Sequence, residues 1–197
     1  GKVEAVIDRN IKEIIDRTTV FFTRRHIRRI MLGGSDENVV RFKENLPKAW
    51  QSLVASTFPM SMTASHLDIL HQATLEALAV QTKINQSLVE QAITLAAKGS
   101  NGVTGLIDTL NAIHEGRIKT LLVLQDFDQA GYQCLGCGFL TVQKLDVCPF
   151  CSSKFELIDH TVEMAVQETL KKNAQAKVLL ENKTLADAGQ IAAILRY

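Results

Sequence analysis

No stretch of this sequence stays apolar for the roughly 18 residues that a membrane-spanning helix requires, so it encodes no membrane segment. No secretory signal is readable, which argues against an oxidising compartment and for the cytoplasm. An excess of charge of one sign is also missing. The 22 Lys and Arg against 21 Asp and Glu leave a net +1, which excludes a protein that coats nucleic acid by bulk charge. No Walker lysine follows Gly33-Gly34, and neither a Gly-x-Gly-x-x-Gly nor a Gly-x-Ser-x-Gly occurs. The five histidines are scattered without readable pairing; His66 and His71 stand five apart, wrong for a metal pair on a helix. Low-complexity tracts and internal repeats are absent. So is an initiator methionine before Gly1-Lys2, as in a piece cut from a longer protein.

What is present is an ordinary globular composition, 46% hydrophobic and 22% charged, in a length of 197 residues that admits one large or two small domains. Charge is unevenly spread: residues 1–103 hold 13 basic and 10 acidic side chains, while residues 104–197 hold 9 and 11.

The four cysteines lie in one short stretch, Cys134-Leu135-Gly136-Cys137 and Cys148-Pro149-Phe150-Cys151. Two Cys-x-x-Cys knuckles this close can wrap four thiolates around one tetrahedral ion, and the ten residues between them allow a short β-excursion. The reading is a zinc ribbon over 132–155 with structural zinc, because four thiolates leave no open position for water or substrate. A disulfide framework or a redox Cys-x-x-Cys are the alternatives.

Taken in order, Val3 to Thr23 has the i, i+3/i+4 apolar spacing of an amphipathic helix. Arg24, Arg25, His26, Arg28 and Arg29 follow, read either as cations at a helix end or as a phosphate-contacting patch. A strand over Ile27–Leu32, a helix from Ser35-Asp36 to Asn45 and a strand over Ser52–Phe58 come next. Trp50 is the one tryptophan, expected to anchor a core or an interface. A long helix spans about Ser65 to Lys98, and Lys98–Gly102 is the expected domain boundary. Beyond it come a helix over Thr104–His114, a strand over Ile118–Leu124, the ribbon, a helix capped by Asp159 and running to Asn173, and strands over Lys177–Leu180 and Ile191–Leu195. This predicts an α/β chain of two domains, 1–101 and 102–197. Asp126 and Asp128 read as solvated loop carboxylates, and no catalytic constellation is visible.

Three stretches carry a resemblance: Leu32-Gly33-Gly34-Ser35-Asp36-Glu37-Asn38-Val39; Gly105 to Ala112 with Glu115 to Val123; and Gly189-Gln190-Ile191-Ala192-Ala193-Ile194-Leu195-Arg196-Tyr197. Together they resemble the middle and C-terminal domains of eukaryotic/archaeal-type class I peptide chain release factors, whose archaeal-type members carry a zinc ribbon in the last domain. The resemblance implies a ribonuclease H-like middle domain, incomplete at its N-terminus here, and an α/β/α C-terminal sandwich. It implies action in translation termination at the ribosomal A site, with Arg24, Arg25, Arg28 and Arg29 on rRNA and a docking surface for a translational GTPase. The family's Gly-Gly-Gln trigger for peptidyl-tRNA hydrolysis is absent from this sequence, and its glycine-richer terminal motif here holds Gln190, Ala192 and Ala193. The expectation is therefore a non-enzymatic ribosome-binding and partner-docking part of a release factor. The alternatives are a stalled-ribosome rescue factor and a zinc-ribbon adaptor that binds RNA or protein. An enzyme using the first domain directly would need clustered carboxylates on strand ends, and the expected strands there contain none.

Overall fold

The computed structural model describes residues 2–197. The chain divides into two compact units, one ending at Lys83 and the other spanning Ile84–Tyr197, so the mixed α/β class expected from the sequence is the one adopted.

The first unit opens on α1 (Lys2–Thr23), whose Ile15 is buried. Two parallel strands follow, β1 (Ile30–Gly34) and β2 (Val54–Pro59), paired from Ile30↔Val54 to Gly34↔Pro59. Between them run α2 (Asp36–Asn45) and the single turn α3 (Lys48–Gln51). Strand β1 starts later than the sequence suggests, because the amides of Arg25 and Ile27 are spent in a turn, donating to Phe22 and Arg25 carbonyls. Gly33 leaves room for the Phe58 ring; a Cβ there would come within 2.6 Å of it. Trp50 packs against Phe22 at 5.2 Å between ring centroids. Ser35 occupies the N-cap of α2 with extended backbone, although its hydroxyl makes no capping bond.

Helix α4 (His66–Ala97) begins with a reciprocal cap, in which the Asp68 amide donates to Ser65 Oγ and the Ser65 amide to Asp68 Oδ2. The division between units falls inside this helix, ahead of the boundary read at 101/102. Its later turns carry Val89 and Ala92, fully buried against the second unit's sheet.

That second unit is a three-layer sandwich. Its strands are β3 (Gly102–Thr104), β4 (Ile118–Leu124), β8 (Gln175–Leu179) and β9 (Ile191–Leu195), in the order β3-β9-β4-β8. Strand β4 is parallel to β8 and antiparallel to β9. Side chains alternate between faces. Leu121, Val123, Ile191, Ala193 and Leu195 face α5 (Leu106–His114) and α6 (Thr161–Lys171). Leu122, Leu179, Ala192 and Ile194 face the end of α4 and the short α7 (Lys183–Asp187). The remaining strands, β5 (Gly131–Cys134), β6 (Leu140–Thr141) and β7 (Phe155–Ile158), make a separate sheet in the order β6-β5-β7.

Three elements escape the sequence reading, the single turn α3 among them. Strand β3 looks like linker because it begins at a glycine, yet a Cβ on Gly102 would press within 2.5 Å of the Ala92 carbonyl. Helix α7 is too short for a periodic pattern; Asn182 caps it by accepting from the Leu185 amide at 2.8 Å. The helix expected from Asp159 starts at Thr161, and its cap acceptor comes from elsewhere.

Candidate metal centre

The ribbon presents the four cysteines on two turns with the same hydrogen bonds. In the first, the Cys134 amide donates to the Phe139 carbonyl at 2.8 Å and the Gly138 amide to the Cys134 carbonyl at 3.0 Å. In the second, the Cys148 amide donates to the Ser153 carbonyl at 2.9 Å and the Ser152 amide to the Cys148 carbonyl at 2.8 Å. The first cysteine of each turn is buried and the second exposed. Gly136 adds an amide to Cys134 Sγ at 3.4 Å, and a Cβ at that glycine would strike the Ser153 hydroxyl.

All four thiols are free, and their sulfurs lie within 4.8 Å of one another. Between the turns, Cys134 lies 3.3 Å from Cys151 and Cys137 lies 3.6 Å from Cys148. A cluster of this kind could hold a metal ion, and all four ligand candidates named from the sequence are in it. Partial desolvation and the neighbouring thiols push Cys137 up to about 12. The Ser153 hydroxyl and amide, with Cys134, draw Cys151 down to about 6.

The ribbon is more than an excursion. Leu140 is buried with the sandwich core, and Phe139 and Phe150 meet in an edge contact at 4.8 Å. His114, the last residue of α5, lies over both, at 5.1 Å and 4.3 Å. Burial first, then the Lys172 charge, hold its imidazole below the usual histidine range. Lys172 itself donates to the Ile113 and His114 carbonyls at 2.7 and 2.8 Å, closing the end of α5.

A second polar arrangement sits at the start of α6. Asp128 Oδ1 accepts from the Val162 amide at 3.2 Å and the Gln129 amide at 2.9 Å, while Oδ2 meets His160 Nδ1 at 2.6 Å. Asp128 is therefore the cap of α6, reaching in from the loop after β4 while remaining exposed, as a solvated loop carboxylate would be. Partial desolvation opposes ionisation, yet the His160 and amide hydrogen bonds hold its carboxyl below the ordinary range. The hydrogen bond that it donates to Asp128 raises His160 in turn. Only spatial proximity reveals this cap, since the partners are 34 residues apart.

Of the arginine cluster, Arg24, Arg25, Arg28 and Arg29 are all exposed. Arg25 lies over the Phe21 ring at 5.5 Å, and Arg29 donates twice to Gln81 Oε1 at 3.2 Å. The cluster and the cysteines belong to different units. No helix among the described residues is long and apolar enough to cross a membrane.

Residues 1–78 match the family described as bacterial archaeo-eukaryotic release factor family 10. No curated protein matches the chain. Among solved structures, a model of ribosome-bound archaeal Pelota with ABCE1 is similar over 96% of this chain and 49% of the other, at 13% identity and a TM-score of 0.55. Dom34 of S. cerevisiae, a translation termination-like factor of RNA quality control that interacts with Hbs1, is similar over 86% and 47%, at 12% identity and 0.51. The C-terminal domain of a peptide chain release factor from Methanosarcina mazei is similar over 70% of this chain and 98% of that domain, at 23% identity and 0.46. The chain thus spans about half the length of the Pelota and Dom34 chains it matches.

Proposed function

Starting from a chain that resembles the archaeo-eukaryotic release factors, we propose that it is the ribosome-binding and partner-docking part of a translation termination or ribosome rescue factor. The observation that carries this reading is the family match of residues 1–78, and the fold shared with ribosome-bound Pelota supports it. In this reading the chain binds and positions and catalyses nothing. The Gly-Gly-Gln tripeptide does not occur in its sequence, and the cysteines serve structure.

The metal is zinc. Four thiolates at a Zn–S distance of about 2.3 Å stand about 3.8 Å apart on the edges of a tetrahedron. The cross-turn separations of 3.3 and 3.6 Å already lie close to that spacing. Cys134, Cys137, Cys148 and Cys151 would be its ligands, and zinc would lock the two turns together. Arg24, Arg25, Arg28 and Arg29 would meet rRNA phosphates in the A site, and a translational GTPase would be the docking partner, as Hbs1 is for Dom34. The place of work would be the cytoplasm.

Co-sedimentation with ribosomes tests the reading. The chain is expected to pellet with ribosomes whose A site is vacant, and Arg24→Glu with Arg28→Glu to weaken binding and flatten its salt dependence. Binding that ignores these reversals removes the arginines from the interface, and no pelleting at any salt removes the ribosome. The second reading, a zinc-ribbon adaptor for protein, draws on the exposed apolar turns Leu135, Val147 and Phe150.

A further inference from the structure

Helix α1 ends in two adjacent phenylalanines, which the turn of a helix sends in different directions. Phe22 is half-buried and packs on Trp50, fixing the last turn of the helix in place. Phe21 is 53% exposed, whereas the other large aromatic rings of the first unit, Phe22, Phe42, Trp50 and Phe58, are half-buried or buried. The open surface of the Phe21 ring contributes nothing to the core.

The cations that follow it are unneutralised. No Asp or Glu occurs from Thr18 to Ser35, and among the described residues no carboxylate pairs with Arg24, Arg25, Arg28 or Arg29. The turn that carries them is closed by the Arg25 amide on the Phe22 carbonyl and the Ile27 amide on the Arg25 carbonyl. Arg25 lies over the Phe21 ring, and Arg29 donates to the neutral Gln81 side chain, so both are positioned without losing their charge. Such a turn fits a polyanion that also carries flat apolar faces. An unpaired stretch of nucleic acid presents both, whereas a duplex keeps its bases inside the stack. An acidic peptide would satisfy the arginines and leave the ring without a stacking partner.

We infer that Phe21 is a base-stacking residue and that the arginine turn binds an unpaired segment of RNA. One splayed base lies on the Phe21–Arg25 pair, while Arg24, Arg28 and Arg29 take the flanking phosphates. Stacking supplies affinity that salt leaves alone, and the phosphate contacts supply the part that salt weakens. The inference rests on the ribosome-binding reading and narrows it from the RNA backbone to an unpaired nucleotide.

The test uses the zinc-loaded chain and a single-stranded RNA of about twelve nucleotides with 5-iodouridine near its centre, beside the same strand annealed to its complement. Fluorescence anisotropy should show the single strand bound about fivefold or more tightly than the duplex, and photo-cross-linking should map the iodouridine to Phe21. Phe21→Leu, which keeps an apolar side chain without a ring, should weaken the single strand about fivefold or more and leave the salt slope unchanged. Phe21→Tyr should restore it. Arg24→Glu with Arg28→Glu should weaken both probes and flatten the slope. Equal binding of the two probes, cross-links centred elsewhere, or unaltered affinity in Phe21→Leu would overturn the inference. If the arginine reversals still act in that case, the phosphate contacts stand without the stacking. Failure of either probe to bind at low salt overturns the inference too, and ribosome co-sedimentation then decides the wider reading by itself.

Discussion

Gly138 and Ser152 hold equivalent positions in the two cysteine turns, each four residues beyond a buried cysteine and each left-handed, at φ 73° and 59°. The first turn has the residue that adopts this conformation freely; the second holds it against a side chain. Ser152→Gly should therefore leave metal binding intact and change stability favourably by about 0.5–1 kcal/mol. Chemical denaturation of the metal-loaded protein checks it, and a loss of stability would mean that the serine hydroxyl contributes more than the backbone costs.

The same reasoning applies at Gln190, left-handed at φ 67° and preceding β9. Its carbonyl accepts from the Leu124 amide and its amide donates to the Leu185 carbonyl, so the backbone is fixed from both sides. Gln190→Gly should stabilise the sandwich by up to about 1 kcal/mol, read from the urea midpoint.

Metal removal should act beyond the cysteines. Replacing Cys148, which is 1% exposed, should abolish metal binding by elemental analysis and lower the melting temperature. Because Phe139 and Phe150 rest on His114, the α5 end should loosen too, visible as a shifted His114 imidazole signal. The sheet core around Leu121 and Leu122 should persist. Phe139→Ala, at a side chain 4% exposed, should cost about 3–5 kcal/mol even with metal bound.

Acid and base should each weaken the Asp128–His160 pair, acid through Asp128 and base through His160. His160 is raised, so its contribution is complete below the ordinary histidine value of 6.5 and fades as pH climbs through the folded value. Asp128 is lowered, so its contribution is complete above 3.8 and fades as pH falls. The pair is strongest between these limits. His114, lowered, adds stability that is present above 6.5 and lost on acidification. Stability measured against pH in wild type and His160→Ala should differ most near pH 5 and converge in mild alkali. Asp128→Ala should cost about 1 kcal/mol more, since it also uncaps α6.

The periodic elements were readable because their burial is one-sided and local. Ile118–Leu124 forms the expected strand, and the long helix agrees to within a residue at each end. The four cysteines announced themselves by spacing, and their sulfurs do converge. What escaped depends on partners distant in sequence. Gly102 is a strand residue because of α4, Asp128 a cap because of α6, and Leu140 a core residue because the ribbon lies on α5. Ile27 shows the opposite error: an apolar, β-branched residue drawn out of the strand by a tight turn.

Arg196 donates to the carbonyls of Lys172 and Asn173 at 3.1 and 3.4 Å, where α6 ends. Lys172 in turn closes α5, whose last residue supports the ribbon aromatics. Arg196, just past β9, thus bolts the negative end of α6, and Lys172, riding on that end, bolts the end of α5. The polypeptide is fastened like a row of latches, and slackness introduced at Arg196 would be felt, latch by latch, as far as Phe150.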